Sequence, residues 1–107
     1  MTAPSRVDAL RAMVTKNPDN ALARFGLANE LLKVGDAGAA AEHYAAYLAR
    51  YDDEGNGWGR YADALAQLGR TSEAIDAFQK GISASLRFGH TGMANELEAR
   101  LDELRDG

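Results

Sequence analysis

Residues 21–54 read ALARFGLANELLKVGDAGAAAEHYAAYLARYDDE, and residues 55–88 read GNGWGRYADALAQLGRTSEAIDAFQKGISASLRF. The second stretch repeats the size and polarity of the first at one offset of 34 residues. A fixed period of this length is typical of stacked repeat architectures and predicts one structural unit that occurs twice. The matching positions are Leu27 and Tyr61, Ala28 and Ala62, Leu31 and Leu65, Gly35 and Gly69, Ala40 and Ala74, Tyr44 and Phe78, and Leu48 and Ile82.

Each unit has the pattern of two helices joined by a turn. Apolar residues recur three and four positions apart, which puts them on one helix face. Gly35 suits the residue after a helix, and Asp36 suits the N-cap of the next one. In the second unit Gly69 takes the turn and Thr71 is the predicted N-cap. The alanines at positions 28, 40, 62 and 74 are expected to let the two helix backbones of each unit approach closely.

The flanking segments are predicted to add one helix at each end. Residues 5–16 read as the second helix of a repeat whose first helix is absent, with Ser5 as its N-cap. Residues 91–106 read as a capping helix with Thr91 as its N-cap and a polar outer face. The apolar stripe of that helix matches the repeat pattern only if it is shifted by about two residues from the 34-residue period. We therefore expect a short insertion near residues 87–90. Its stripe consists of Met93, Leu97, Leu101 and Leu104.

Length and composition predict a single all-α domain over residues 1–107 with about six helices. The chain is 46% hydrophobic and 26% charged, which is ordinary for a globular protein. Its net charge of −4 argues against nucleic acid or an anionic membrane as the main partner. The absence of cysteine excludes disulfides, thiolate nucleophiles and cysteine-based metal sites.

The apolar stretches are interrupted by charges every few residues, and no signal-peptide pattern opens the sequence. We therefore expect a cytoplasmic protein.

The residues that could carry chemistry are few and scattered, so we expect no metal, no cofactor and no catalytic site. His43 is expected on a helix rim and His90 in a turn. The acidic run at residues 52–54 is expected to favour the start of the following helix electrostatically. The glycines around Trp58 lack the strand and the Lys-Ser or Lys-Thr pair of a phosphate loop. They are expected to weaken that helix start, with Trp58 packed in the core.

The 34-residue helix–turn–helix pattern resembles the tetratricopeptide repeat family. The resemblance rests on the four alanines, the turn glycines Gly35 and Gly69, the aromatic residues Tyr44 and Phe78, and Trp58. It covers two full units. The sequence departs from the family pattern in four places: Arg24 replaces the tryptophan of the first unit, Gly81 replaces a small alanine, and Asp52 and Leu86 replace the terminal prolines.

The resemblance implies a curved array whose concave groove binds a peptide or a partner helix. By family position, the groove-facing residues are expected to be Leu22, Phe25, Asn29, Leu32, Lys33, Asn56, Gly59, Arg60, Asp63 and Gln67. The family's two-carboxylate clamp for chaperone tails is not expected, because Phe25 and Arg60 stand where that clamp needs a Lys and an Asn.

The leading functional hypothesis is a non-catalytic adaptor or scaffold that binds a protein or peptide. One alternative is a homodimer that pairs through Leu10, Met13 and Val14 of the N-terminal helix. A remote alternative is a small enzyme. The sequence allows two interpretations of Phe25. It is either an aromatic anchor for the partner, with Arg60 nearby, or a packing residue beneath the N-terminal helix.

Overall fold

The computed structural model describes residues 5–107, so residues 1–4 of the predicted domain lie outside the described part. The described residues form six α-helices and no β-strand, which confirms the predicted all-α fold. None of these helices is both long enough and apolar enough to cross a membrane. In chain order they are α1 (Arg6–Lys16), α2 (Ala21–Lys33), α3 (Ala37–Arg50), α4 (Asn56–Gln67), α5 (Thr71–Arg87) and α6 (Thr91–Asp106).

Each helix packs against the next one along the chain, and short turns make these neighbours antiparallel. The small residues predicted at the helix contacts lie at the centre of both hairpins. Ala28 on α2, Ala40 on α3, Ala62 on α4 and Ala74 on α5 are all 0% exposed. Side chains this short let two helices approach, and larger residues one turn away fill the space around the contact. The larger buried residues include Leu27, Leu31, Tyr44, Leu65 and Phe78.

Three of the five connections use the same tight turn, with a central glycine at positive φ. The φ angles are 90° at Gly35, 75° at Gly69 and 79° at Gly89. In each turn the glycine N–H donates to the carbonyl three residues earlier, and the next N–H donates to the carbonyl five residues earlier. These bonds satisfy carbonyl groups at the end of the helix, and glycine adopts the left-handed conformation without steric strain.

The additional residues expected near residues 87–90 belong to a helix and do not form a longer loop. Helix α5 continues to Arg87 and has 17 residues, compared with 14 in α3. Only three residues then connect α5 with α6. The additional residues therefore lengthen the helix instead of the loop. The register of α6 still places Ala94, Leu97 and Leu101 in the core, as the apolar stripe predicts.

The predicted N-caps are correct for α1 and α3 and wrong for α5 and α6. Ser5 and Asp36 accept hydrogen bonds from backbone N–H groups three residues on. Thr71 and Thr91 are instead the first helical residues, and the caps are Arg70 and His90, neither of which makes a side-chain cap bond. The tight turn explains this difference, because it leaves only one residue between the glycine and the next helix.

Asp53 is a buried carboxylate that organises the start of α4. Its Oδ2 accepts hydrogen bonds from the Gly55 N–H at 2.8 Å and the Gly57 N–H at 2.7 Å. Its Oδ1 accepts one from the Tyr47 hydroxyl at 2.7 Å. Burial, together with the adjacent Asp53 carboxylate, raises the pKa of Tyr47, which therefore remains a donor. Asp53 thus hydrogen-bonds directly to N–H groups at the start of α4, and the electrostatic effect of the acidic run stays a prediction.

The glycines of α4 and α5 allow close packing of three helices. A Cβ added at Gly59 would lie 2.6 Å from Leu97, and one at Gly81 would lie 2.9 Å from the Trp58 Cβ and 3.0 Å from Leu97. Leu97 of α6 therefore sits in a notch that both glycines leave open. This contact explains why Gly81 departs from the family pattern. It also gives the glycine at position 59 a packing role that offsets its low helix propensity.

The first prediction concerns Asp53. Asp53→Ala should lower the free energy of unfolding by about 2 kcal/mol, because it removes the cap of α4 and leaves the buried Tyr47 hydroxyl without an acceptor. Urea denaturation followed by circular dichroism measures this change. Asp52→Ala is the matched control, since that exposed carboxylate pairs only with Arg87 at the surface. Equal effects of the two substitutions would contradict the assigned role of Asp53.

The second prediction concerns two helical glycines. Gly59→Ala should destabilise the fold by roughly 1–3 kcal/mol, because the added methyl group overlaps Leu97. Gly92→Ala should instead stabilise it by up to about 1 kcal/mol, because no atom lies within 4 Å of the added carbon and alanine favours the helix. Thermal and urea denaturation measure both. A stabilising Gly59→Ala would show that the notch is not tightly packed.

Candidate interaction face

Helices α2, α4 and α6 lie side by side and form one face of the protein. Helix α2 contacts α4, and α4 contacts α6. In residues 5–107 no corresponding contact joins α3 with α5. Because the first helices of the hairpins touch while the second ones do not, the row curves with α2, α4 and α6 on its inner side. We call the solvent-facing side of these three helices the inner face.

The structure brings four of the predicted groove residues together in one cleft. This cleft has a volume of about 380 Å³ and lies between α2 and α4. It is lined by Asn29, Leu32, Lys33 and Arg60 from the predicted set, and by Glu30 in addition. Glu30 was not predicted. It lies next to Asn29 in the sequence, and only its contact with α1 distinguishes it from other surface acids.

The remaining predicted groove residues lie outside this cleft. Leu22 is 74% exposed at the beginning of α2. Asn56 and Gln67 are exposed at the first and last positions of α4. Gly59 is buried against Leu97 and does not contribute to the surface. Asp63 lines a second, smaller cleft of the inner face, which has a volume of about 290 Å³ and lies between α4 and α6. The other predicted positions are distributed around these two clefts.

Asn29 is held in place by a buried tyrosine. The Tyr44 hydroxyl donates to Asn29 Oδ1 at 2.6 Å, and Tyr44 itself is 0% exposed. Burial raises the pKa of Tyr44 to about 12, and the nearby Arg60 opposes this shift. The hydroxyl thus stays protonated and occupies the amide oxygen of Asn29. The amide nitrogen of Asn29 remains as a hydrogen-bond donor at the cleft.

Phe25 packs under the inner face and is also partly exposed. Its ring lies 6.0 Å from that of Tyr44 in an edge-to-face arrangement and 4.7 Å from that of Tyr47. It does not line the cleft. These contacts are with α3, whereas the packing interpretation had placed Phe25 beneath the N-terminal helix. A role in binding stays a prediction.

Two ion pairs flank the cleft. On one side Arg6 of α1 contacts Glu30 at 2.8 Å, and on the other side Arg100 of α6 pairs with Asp63 of α4. The Arg100 guanidinium also lies 5.3 Å from the ring centre of Phe78, so this pair connects the inner face with the core. Asp63 is thus already engaged within the protein.

Lys33 and Arg60 lie between these flanking ion pairs. Neither makes an ion pair within residues 5–107. Both side chains are exposed, and they come from different helices. The cleft therefore presents two uncompensated positive charges beside the Asn29 amide and the apolar side chain of Leu32.

The two histidines lie in separate places, as the sequence predicts. His43 is half-buried on α3 with its Nδ1 3.2 Å from Arg24 Nη1. Burial, followed by the charge of Arg24, lowers the pKa of His43. His90 lies in the turn before α6, with its Nε2 2.9 Å from Glu54. The described residues contain no group of three His, Asp or Glu side chains arranged to hold a metal ion.

A cleft larger than the one between α2 and α4 lies on the opposite side of the protein, between α3 and α5. It has a volume of about 580 Å³ and includes Trp58, whose ring lies 5.5 Å from the Lys80 ammonium. Trp58 is half-buried and packs against the core. The charged side chains at this cleft already pair with neighbours, as Arg87 does with Asp52. The sequence analysis predicted no binding site at this cleft.

The residues predicted to pair two copies of the chain are mostly covered by α2. Val14 is buried, and Leu10 is half-buried with its side chain against Gly26. Met13 is 49% exposed and is the one large apolar residue of α1 on the surface of the described chain. Homodimerisation through α1 stays a prediction with a small apolar contact area.

Comparisons with known proteins agree with this architecture. The sequence profile of the tetratricopeptide repeat family matches residues 25–85. The TPR repeat-containing protein PA0015 of Pseudomonas aeruginosa is 31% identical over 98 residues, which cover 92% of this chain and 93% of that protein. The solution structure of protein BPP2914 from Bordetella parapertussis has a TM-score of 0.83 at 25% identity, covering 97% of this chain and 90% of the other. The crystal structure of MamA has a TM-score of 0.70 at 15% identity, and the match covers 94% of this chain and 67% of that one. It shows the same fold.

A third prediction tests the packing of Phe25. Phe25→Ala should lower the free energy of unfolding by about 2 kcal/mol, because it removes the ring that contacts both tyrosines. Leu22→Ala is the control on the same helix, since Leu22 is largely exposed and should tolerate the change. Urea denaturation measures both variants. If Phe25→Ala were as stable as Leu22→Ala, the packing role would be refuted.

Proposed function

Because this chain belongs to the tetratricopeptide repeat family, we propose that it is a non-catalytic interaction module whose inner face binds an extended segment or helix of a partner protein. The observation that supports this proposal most directly is the cleft between α2 and α4. It combines an apolar side chain, an oriented amide and two cations on adjacent helices. Such a mixture of apolar and hydrogen-bonding groups is suited to a polypeptide ligand.

The rigidity of the inner face supports the same function. Asn29 is fixed by Tyr44, and Asp63 is fixed by Arg100. Groups held in this way lose little conformational entropy when a ligand binds, so more of the contact energy remains as affinity. The helices of the face are in turn held by the alanine contacts of the hairpins. A preformed face of this kind favours binding without rearrangement.

The proposal includes the absence of catalysis and a cytoplasmic location. The contacts of the two histidines support the first part, because each one is engaged separately, His43 with Arg24 and His90 with Glu54. The charge-interrupted helices are compatible with the second part. The partner is proposed only as a protein or peptide.

A fourth prediction tests the proposal by site-specific photo-crosslinking in the source cell. A photoreactive amino acid replaces Gln67 on the inner face, and in a second variant it replaces Ser83 at the cleft between α3 and α5. Both positions are exposed, so neither replacement disturbs the core. We expect a discrete crosslinked protein from position 67 and none from position 83. Mass spectrometry of the adduct identifies the partner and the contacting peptide.

The same experiment has two outcomes that would refute the proposal. Crosslinks only from position 83 would place the interaction on the opposite side. Crosslinks between two copies of this chain from position 67 would support self-assembly instead of partner binding. Circular dichroism of both variants establishes that the fold is intact.

A further inference from the structure

The charges of the cleft define the kind of segment that it accepts. We infer that the cleft selects one acidic side chain, an Asp or Glu inside the bound segment, and holds its carboxylate between Lys33 and Arg60. This inference rests on the proposed function, since it specifies the ligand of the same face. It goes further by naming the chemical group that the partner must supply and the two residues that recognise it.

The first argument is the distribution of charge. The whole chain has a net charge of −4, yet this cleft is lined by two cations, Lys33 and Arg60, that make no ion pair within residues 5–107. The acidic residues on either side pair with other cations, Glu30 with Arg6 and Asp63 with Arg100. Lys33 and Arg60 carry like charges at one cleft, so a ligand carboxylate that binds between them is electrostatically favourable.

The second argument is the chemistry of the groups around the two cations. Arg60 offers a planar fork of N–H donors that matches a carboxylate, and Lys33 offers a mobile ammonium group. The neutral Tyr44 hydroxyl next to Arg60 does not cancel its charge. The free amide nitrogen of Asn29 can donate to a backbone carbonyl of the same segment. Leu32 provides apolar surface that excludes water from one side and strengthens these interactions.

The third argument concerns the origin of the carboxylate. The ion pairs Arg6–Glu30 and Asp63–Arg100 occupy the positions on either side of the cleft. Because these neighbours are already neutralised, Lys33 and Arg60 are the cations at the cleft that remain for a ligand carboxylate. The inner face also continues beyond the cleft onto α6, so a bound chain extends past it. An internal acidic side chain fits this arrangement better than a chain end.

The inference is tested with random peptides fused to the C terminus of a phage coat protein, so that both internal acidic residues and free chain ends are offered. After selection against the full chain, the strongest binder is synthesised with a fluorescein label. We expect one position of the selected peptides to be Asp or Glu. Replacing it by Asn or Gln should weaken binding about tenfold or more, which is typical for loss of a charge-assisted contact.

The protein variants provide the matched comparison. The double variant Lys33→Gln and Arg60→Gln should bind the acidic peptide about tenfold more weakly, and most of the salt dependence of this binding should disappear. The same double variant should bind the peptide whose acidic residue is replaced by Asn or Gln with unchanged affinity. The control is the double variant Arg50→Gln and Arg87→Gln, which removes the same charge at the opposite cleft and should have little effect. Circular dichroism confirms that all variants fold.

The possible failures are distinct. Selected peptides that crosslink to the inner face but show no preference for Asp or Glu at any position would overturn this inference. They would leave the proposed function intact. Loss of binding when the peptide C terminus is amidated would also overturn it, because the carboxylate would then come from the chain end. Selected peptides that bind only at the cleft between α3 and α5, or a selection without binders, would count against both the inference and the proposed function.

Discussion

The close approach of helix backbones at small residues is the constraint on which the rest of the structure depends. A helical hairpin of this size cannot bury its apolar stripe alone, so it must pack on a neighbour. The alanines at positions 28, 40, 62 and 74 bring the helices of each hairpin together and are completely buried. Gly59 and Gly81 do the same between hairpins, where they admit Leu97 of α6. Bulky residues at these positions would separate the helices and open the core.

The position of the inner face follows from this packing. Helix α4 lies close enough to α2 and α3 for Arg60 to share a cleft with Lys33 of α2 and to lie beside the Tyr44 hydroxyl of α3. The cleft residues come from two helices that belong to different hairpins. No single repeat contains the cleft, and it exists only because the repeats stack. The stability of the stack and the geometry of the face are therefore coupled through the same contacts.

The sequence allowed the helices and the core to be predicted because both depend on local spacing. A 34-residue period and apolar residues three and four positions apart are visible in one dimension, and they correctly identified six helices and the buried faces. The caps of α5 and α6 were wrong, because Thr71 and Thr91 suit a cap by residue type while the tight glycine turn assigns that place to the preceding residue. The conformation of the additional residues near position 87 could not be read from the spacing, since such residues can lengthen a helix as well as a loop.

The details of the cleft could not be predicted, because they depend on pairs that are distant in sequence. Glu30 is neutralised by Arg6, which is 24 residues away, and Asn29 is oriented by Tyr44, which is 15 residues away. The first pair leaves Lys33 and Arg60 without the acidic residue that lines the same cleft, and the second sets which end of the amide faces the cleft. Phe25 illustrates the same point, because its ring supports Tyr44, and Tyr44 in turn holds Asn29 at the cleft. A residue that does not line the cleft can thus influence its shape through the orientation of one that does. The two interpretations of Phe25, packing and recognition, are therefore not exclusive, since a loss of packing at this ring would also release the Asn29 amide from its position at the cleft.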